Sequence, residues 1–177
     1  MRTKALIIVI VAIAGIGGAW ILFHRQSSVD GFDRTQNVLP DETRKVLDTG
    51  ERFVLFSLNP THPALRRESD PSPNETFHDY AVLGKTEIHD QKERAELLRA
   101  LYNGIANSDG MVASCFNPRH GISATLAGET VDLVICFECL SIETHAKNGK
   151  GVLTTRSPQP TFNRALERAH LPIAKEK

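Results

Sequence analysis

The sequence predicts an α+β chain: an N-terminal transmembrane helix, then an antiparallel sheet packed against one long helix and one or two short ones. Three observations lead there. An uncharged stretch, ALIIVIVAIAGIGGAWILF, fills positions 5–23; a leucine stripe at helical spacing runs from Leu97 to Ile105; and short β-branched runs follow it too closely for helical crossovers between them.

The apolar stretch comes first in the chain. At 1.5 Å per residue it spans roughly 28 Å, close to the thickness of a bilayer's hydrocarbon core. It shows no polar stripe, and Trp20 suits an interfacial position. Arg2 and Lys4 outweigh Arg25 on the other flank, so the positive-inside rule places the amino terminus in the cytoplasm. A cleaved signal normally has a shorter apolar core and a small-x-small cleavage site. Ile21-Leu22-Phe23-His24-Arg25 supplies neither, and the span reads as an uncleaved anchor. His24–Val38 is polar and reads as a tether. The expected organisation is a cytoplasmic tip at 1–4, the anchor at 5–23, the tether at 24–38 and a single extracytoplasmic domain at 39–177, with the lipid bilayer as partner of residues 5–23.

Composition supports a folded domain and excludes one class of partner. Hydrophobic residues make up 41% and charged ones 24%, with 21 basic and 21 acidic groups in balance. Nucleic acid requires a basic face to neutralise phosphates. All the acidic residues lie at or beyond Asp30 while Arg2 and Lys4 precede the anchor, so the remainder is slightly acidic and no nucleic-acid partner is expected.

Within the domain, LPDETRKVLDTG predicts a short helix, with Pro40 and Asp41 at its start and Gly50 as its stop. RFVLFSL (52–58) is a strand by its β-branched and aromatic content, and the following 59–76, with four prolines, is a loop. YAVLGKTEI (80–88) is a second strand. Asp90 with Glu93 forms a capping-box-like start to the long helix, in which Leu97, Leu98, Leu101 and Ile105 share a side; it should end between Asn103 and Gly110. MVASCF (111–116), GISATL (121–126) and TVDLVICFECLSIE (130–143) are strand-like, GVLTT (151–155) is a further candidate, and TFNRALERAH (161–170) closes with a helix. Four or five strands paired as hairpins are expected, with the helices on one face.

All three cysteines fall in CFNPRHGISATLAGETVDLVICFEC, from Cys115 to Cys139. If VDLVICFEC is a regular strand, Val131, Leu133, Ile135, Phe137 and Cys139 face the core, and Asp132, Val134, Cys136 and Glu138 face away. Cys136 and Cys139 then point in opposite directions, and CFEC holds neither Gly nor Pro to make a turn. No bond between them is expected. With Ala127-Gly128 as a two-residue turn, Leu126 faces Glu129, His120 faces Ile135 and Arg119 faces Cys136. Cys115 would then lie about 13 Å from Cys136, beyond disulfide reach. A sharp break at Asn117-Pro118 could bring it back, making Cys115–Cys136 the one bridge allowed, with Cys139 a buried thiol.

CFNPRHGI, followed by VDLVICFEC and preceded by YAVLGKTEI, resembles a family of small uncharacterised bacterial proteins over roughly Phe53 to Ile173. The resemblance implies a bacterial source and one domain, and it brings no activity with it. Combined with the anchor, it implies a single-pass protein of the inner (cell) membrane whose C-terminal domain faces the periplasm or exterior.

Two readings of function follow. In the first, favoured because no Ser/His/Asp set, phosphate loop or paired catalytic carboxylates can be placed, the domain is a non-catalytic binding or assembly module with a protein partner and no cofactor. Arg119, His120 and Glu138 are its candidate binding residues, with Arg119 and Glu138 as a cross-strand ion pair. In the second, Cys115, His120, Cys136 and possibly Cys139 form a thiol or zinc-type metal site, in which Arg119 beside Cys136 favours the thiolate.

Overall fold

The computed structural model describes residues 32–65 and 73–175. The anchor expected at 5–23, the tip before it, most of the tether and residues 66–72 of the proline-bearing loop lie outside the described residues. Among the described residues no helix is long and apolar enough to cross a membrane. The longest, Gln91–Ala106, has 16 residues and bears Lys92, Glu93, Glu96 and Arg99 along its length. The expectation of a bilayer-anchored, single-pass inner-membrane protein is corrected on that finding.

The elements run α1 (Asp41–Thr49), β1 (Arg52–Leu58), β2 (Thr76–Phe77), β3 (Tyr80–Glu87), α2 (Gln91–Ala106), β4 (His120–Leu126), β5 (Glu129–Cys136), β6 (Ser141–His145), β7 (Val152–Leu153) and α3 (Gln159–Arg168), with a 3-10 turn at Pro63–Leu65. The strands form one sheet in the order β2-β3-β1-β4-β5-β6-β7, antiparallel throughout. Among the described residues, seven strands replace the expected four or five for two reasons. Thr76–Phe77 is too short to show a two-residue period, and 130–143 is two strands rather than one, folded at Phe137–Leu140; Val152–Leu153 falls in the candidate strand GVLTT.

Local chemistry sets the helix limits. Asp41 and Glu42 sit in the first turn of α1, where the helix dipole favours negative charge. Asp90 caps α2 by accepting the Glu93 N–H at 2.8 Å. The C-terminal carbonyls of α1 are closed from outside. Arg94, only 5% exposed, donates from Nε to Leu47 O at 3.0 Å and from Nη1 to Gly50 O at 2.6 Å, and its guanidinium lies 4.9 Å from the Phe53 ring centroid.

Helices α1, α2 and α3 cover one face of the sheet. Val46 and Leu47 from α1, Leu97, Leu98, Leu101 and Ile105 from α2, and Phe162, Ala165 and Leu166 from α3 pack with Phe53, Leu55, Ile122, Ala124, Val131, Leu133, Ile135 and Phe137. The leucine stripe and the alternation of β5 therefore meet as expected. Full burial of each valine, leucine, isoleucine or phenylalanine among them stabilises by about 1.5 to 3 kcal/mol. The opposite face is not left bare. Val54, Phe56 and Leu58 of β1 pack with Phe77, Tyr80 and Val134, and half-buried Val82 and Phe116 join them. Gly121 is required there, because a Cβ at that position would lie 2.8 Å from the Phe77 ring. Phe116 reaches this second cluster because 111–117 is not the expected strand; it is irregular backbone that crosses the Phe137–Leu140 turn.

Candidate functional site

The Ala127-Gly128 turn forms as its sequence requires, with both residues at positive φ, 50° and 82°. The register follows from it: Leu126 pairs with Glu129 and His120 with Ile135. On the other side of β5, Cys136 pairs with Ser141, so Phe137–Leu140 is a four-residue hairpin loop. Leu140 adopts φ 61°, the left-handed region in which non-glycine residues are uncommon. That residue makes the turn that CFEC was expected to lack.

The turn overturns the cysteine expectations. Cys139 stands on a loop, not a strand, so alternation does not fix its direction. Cys136 and Cys139 are joined by a disulfide with α-carbons 5.2 Å apart, and both are fully buried. Neither the separation of these two thiols nor a Cys115–Cys136 bridge is found. The break near Asn117-Pro118 does occur and returns Cys115 to the site, against Cys139 instead of Cys136. Cys115 is a free, exposed thiol whose Sγ lies 3.7 Å from Cys139 Sγ.

Backbone donors hold this arrangement. The Ala113 N–H donates to Cys139 O at 3.1 Å, and the Asn117 N–H donates to Cys139 Sγ at 3.2 Å, which fixes the 113–117 segment on the turn. The Cys139 N–H points at Cys136 Sγ, 3.0 Å away. Leu140 O accepts from the Thr154 N–H at 3.0 Å and ties the turn to the end of β7.

Arg119 links the same parts by charge. It pairs with Glu138 as expected, but Glu138 belongs to the turn and Arg119 is 4% exposed, so this is a largely buried pair rather than an exposed cross-strand one. Its Nη1 donates to Glu138 Oε2 at 2.5 Å and to Asn117 O at 3.3 Å; Nη2 donates to Lys175 O at 3.1 Å. One guanidinium thus touches the disulfide turn, the Cys115 segment and the C-terminal tail.

His120 is brought near in sequence and kept apart in chemistry. It is 1% exposed, its Nε2 donates to Asn163 Oδ1 at 2.8 Å, and its ring packs between Phe137 and Phe162 at centroid distances of 5.3 and 5.8 Å. Burial, assisted by the Arg119 charge and opposed by the Asn163 hydrogen bond, lowers its pKa to about 4. It is a neutral core histidine on the helix-covered face. Among the described residues, no group of three or more His, Cys, Asp or Glu side chains is arranged to hold a metal ion. Of the four candidate metal ligands, two are bonded to each other and His120 is engaged with Asn163.

Sequence reasoning missed the backbone of Asn117 as a donor to sulfur. The Asn-Pro pair was its one legible signal. No family model, curated protein or solved structure matches the chain, so the resemblance to small bacterial proteins rests on the quoted motif residues alone.

Proposed function

We propose that the domain is a thiol–disulfide exchange module whose reacting groups are Cys115, Cys136 and Cys139. The observation that supports this reading is the placement of an exposed thiol, Cys115, with its sulfur 3.7 Å from one sulfur of a buried disulfide. The thiolate is the nucleophile in such exchange. Cys115 gives its proton to solvent and attacks Cys139 Sγ; the Cys115–Cys139 bond forms, the Cys136–Cys139 bond breaks, and Cys136 leaves as a thiolate that takes up a proton. The sum is neutral in redox terms, one disulfide and one thiol before and after. The Cys139 N–H, 3.0 Å from Cys136 Sγ, is placed to stabilise charge on the departing sulfur.

Replacing Cys136 by Ala isolates the state after exchange. Oxidised with diamide and mapped by mass under non-reducing conditions, C136A should contain an intramolecular Cys115–Cys139 disulfide. Two free thiols in that folded variant after oxidation would defeat the reading.

A further inference from the structure

A groove of about 320 Å³ lies beside Cys115, walled by Ala113, Cys115 and Phe116 and floored by β6 and β7 through residues that include Glu143 and Leu153. Resting on the exchange reading, we infer that this groove receives an extended polypeptide bearing two cysteines, with a basic residue near the one that reacts, and that Cys115 relays the buried disulfide to it.

The route follows from exposure. Cys136 and Cys139 have no solvent-accessible surface, whereas Cys115 is exposed, so an external sulfur meets the cluster at Cys115. Once exchange has formed the Cys115–Cys139 bond, a thiolate of the polypeptide attacks Cys115 Sγ. A bond from the polypeptide to Cys115 forms and Cys139 leaves as a thiolate. The second thiolate of the polypeptide then attacks its own sulfur in that mixed disulfide and releases Cys115. The polypeptide has lost two electrons and two protons to become a disulfide; the domain has gained two electrons, its disulfide becoming the Cys136 and Cys139 thiols. The domain's own disulfide is the oxidant, consumed once per turnover.

The lining selects the class of thiol. Ala113, Phe116, Val152 and Leu153 give an apolar wall, and Met111 and Val112, 64% and 56% exposed, extend apolar surface in the chain leading to Cys115. Among the described residues Glu143 is the one charged group lining the groove; it is half exposed, and His145 Nε2 lies 3.7 Å from its carboxylate. No lysine or arginine among the described residues lines the groove to receive the two carboxylates of a small thiol such as glutathione, while a basic side chain beside a peptide cysteine finds Glu143. Strand addition at β7 is not the docking mode, because the Leu153 N–H and carbonyl are both engaged by the side chain of Asn37.

The test measures loss of the Cys136–Cys139 bond in the oxidised chain, by mass mapping after acid quenching. Three probes are used at equal thiolate concentration: an apolar two-cysteine peptide with a lysine beside one cysteine, the same peptide with glutamate there, and glutathione. The lysine peptide should react at least tenfold faster than glutathione, and Glu143→Lys, a surface change, should invert the order of the two peptides. Equal rates for all three probes, or unchanged order in E143K, would overturn the docking inference. The exchange reading fails separately: in that case Cys115→Ala would lose its Cys136–Cys139 bond as fast as the native chain with every probe.

Discussion

The side-chain amide of Asn37 pairs with the backbone of Leu153 in both directions, its Nδ2 donating to Leu153 O at 3.0 Å and its Oδ1 accepting the Leu153 N–H at 2.7 Å. β7 ends the sheet, so these groups would otherwise form an open edge. The same Nδ2 reaches Ile105 O at 3.0 Å and ties the edge to the end of α2. Asn37 falls within the segment expected as a tether, yet it is 8% exposed.

Asn37→Ala should accordingly remove three hydrogen bonds and leave a bare strand edge. Each buried group left without a partner costs about 1 to 3 kcal/mol. Urea unfolding should show a loss within roughly 2 to 4 kcal/mol at constant slope, and light scattering should show increased self-association. Unchanged stability would mean that water replaces the amide at no cost.

Arg94 should prove equally important for the opposite end of the core. Its guanidinium supplies donors to Leu47 O and Gly50 O that the helix cannot satisfy by itself. Burial lowers its pKa, an effect that Asp48 and Tyr102 oppose. Arg94→Met keeps the aliphatic packing and removes the donors, so a loss of roughly 2 to 4 kcal/mol is expected. Amide exchange should speed up first in α1. Uniform loss of protection across the domain would show that α1 does not open by itself.

His120 sets a pH dependence with a defined sign. Its folded pKa, about 4, lies below the 6.5 of the unfolded chain. Between those values the unfolded chain binds the extra proton, so stability from this group is complete above about pH 6.5 and is lost as pH falls toward 4. The span corresponds to about 3 kcal/mol. His120→Gln should lack this part of the slope when the two proteins are titrated side by side. Parallel curves would place a water or a charge beside the ring.

The contrast between β5 and the cysteine turn shows where sequence was readable. Val131, Leu133 and Ile135 alternate, and Leu101 and Ile105 recur at helical spacing, because burial on one face leaves a period in the residues. The Ala127-Gly128 turn was legible through its glycine, and it fixed the register of His120. Leu140 carries no such mark: a leucine in the left-handed region is held there by tertiary bonds, such as Thr154 N–H to Leu140 O, that no local pattern announces. One unsignalled turn residue was enough to reverse the pairing of Cys136 with Cys139. Arg94 was hidden for a related reason, since its partners lie more than 40 positions away in the chain.

The disulfide itself should contribute little to stability, and the exchange chemistry requires this. It closes a loop of only four residues, from Cys136 to Cys139, so the chain-entropy account gives it about 2 kcal/mol. The turn has independent anchors in the Arg119–Glu138 pair, in Ala113 N–H to Cys139 O and in Thr154 N–H to Leu140 O. The reduced domain should therefore remain folded, with its unfolding free energy in urea lowered by that amount and its β5–β6 amides still protected from exchange. Arg119→Met should make reduction far more damaging, because it leaves Glu138 unpaired and frees Asn117 O and Lys175 O at the same turn. Collapse of the native domain on reduction alone would mark the bond as a structural staple and remove the physical basis for exchange at Cys139.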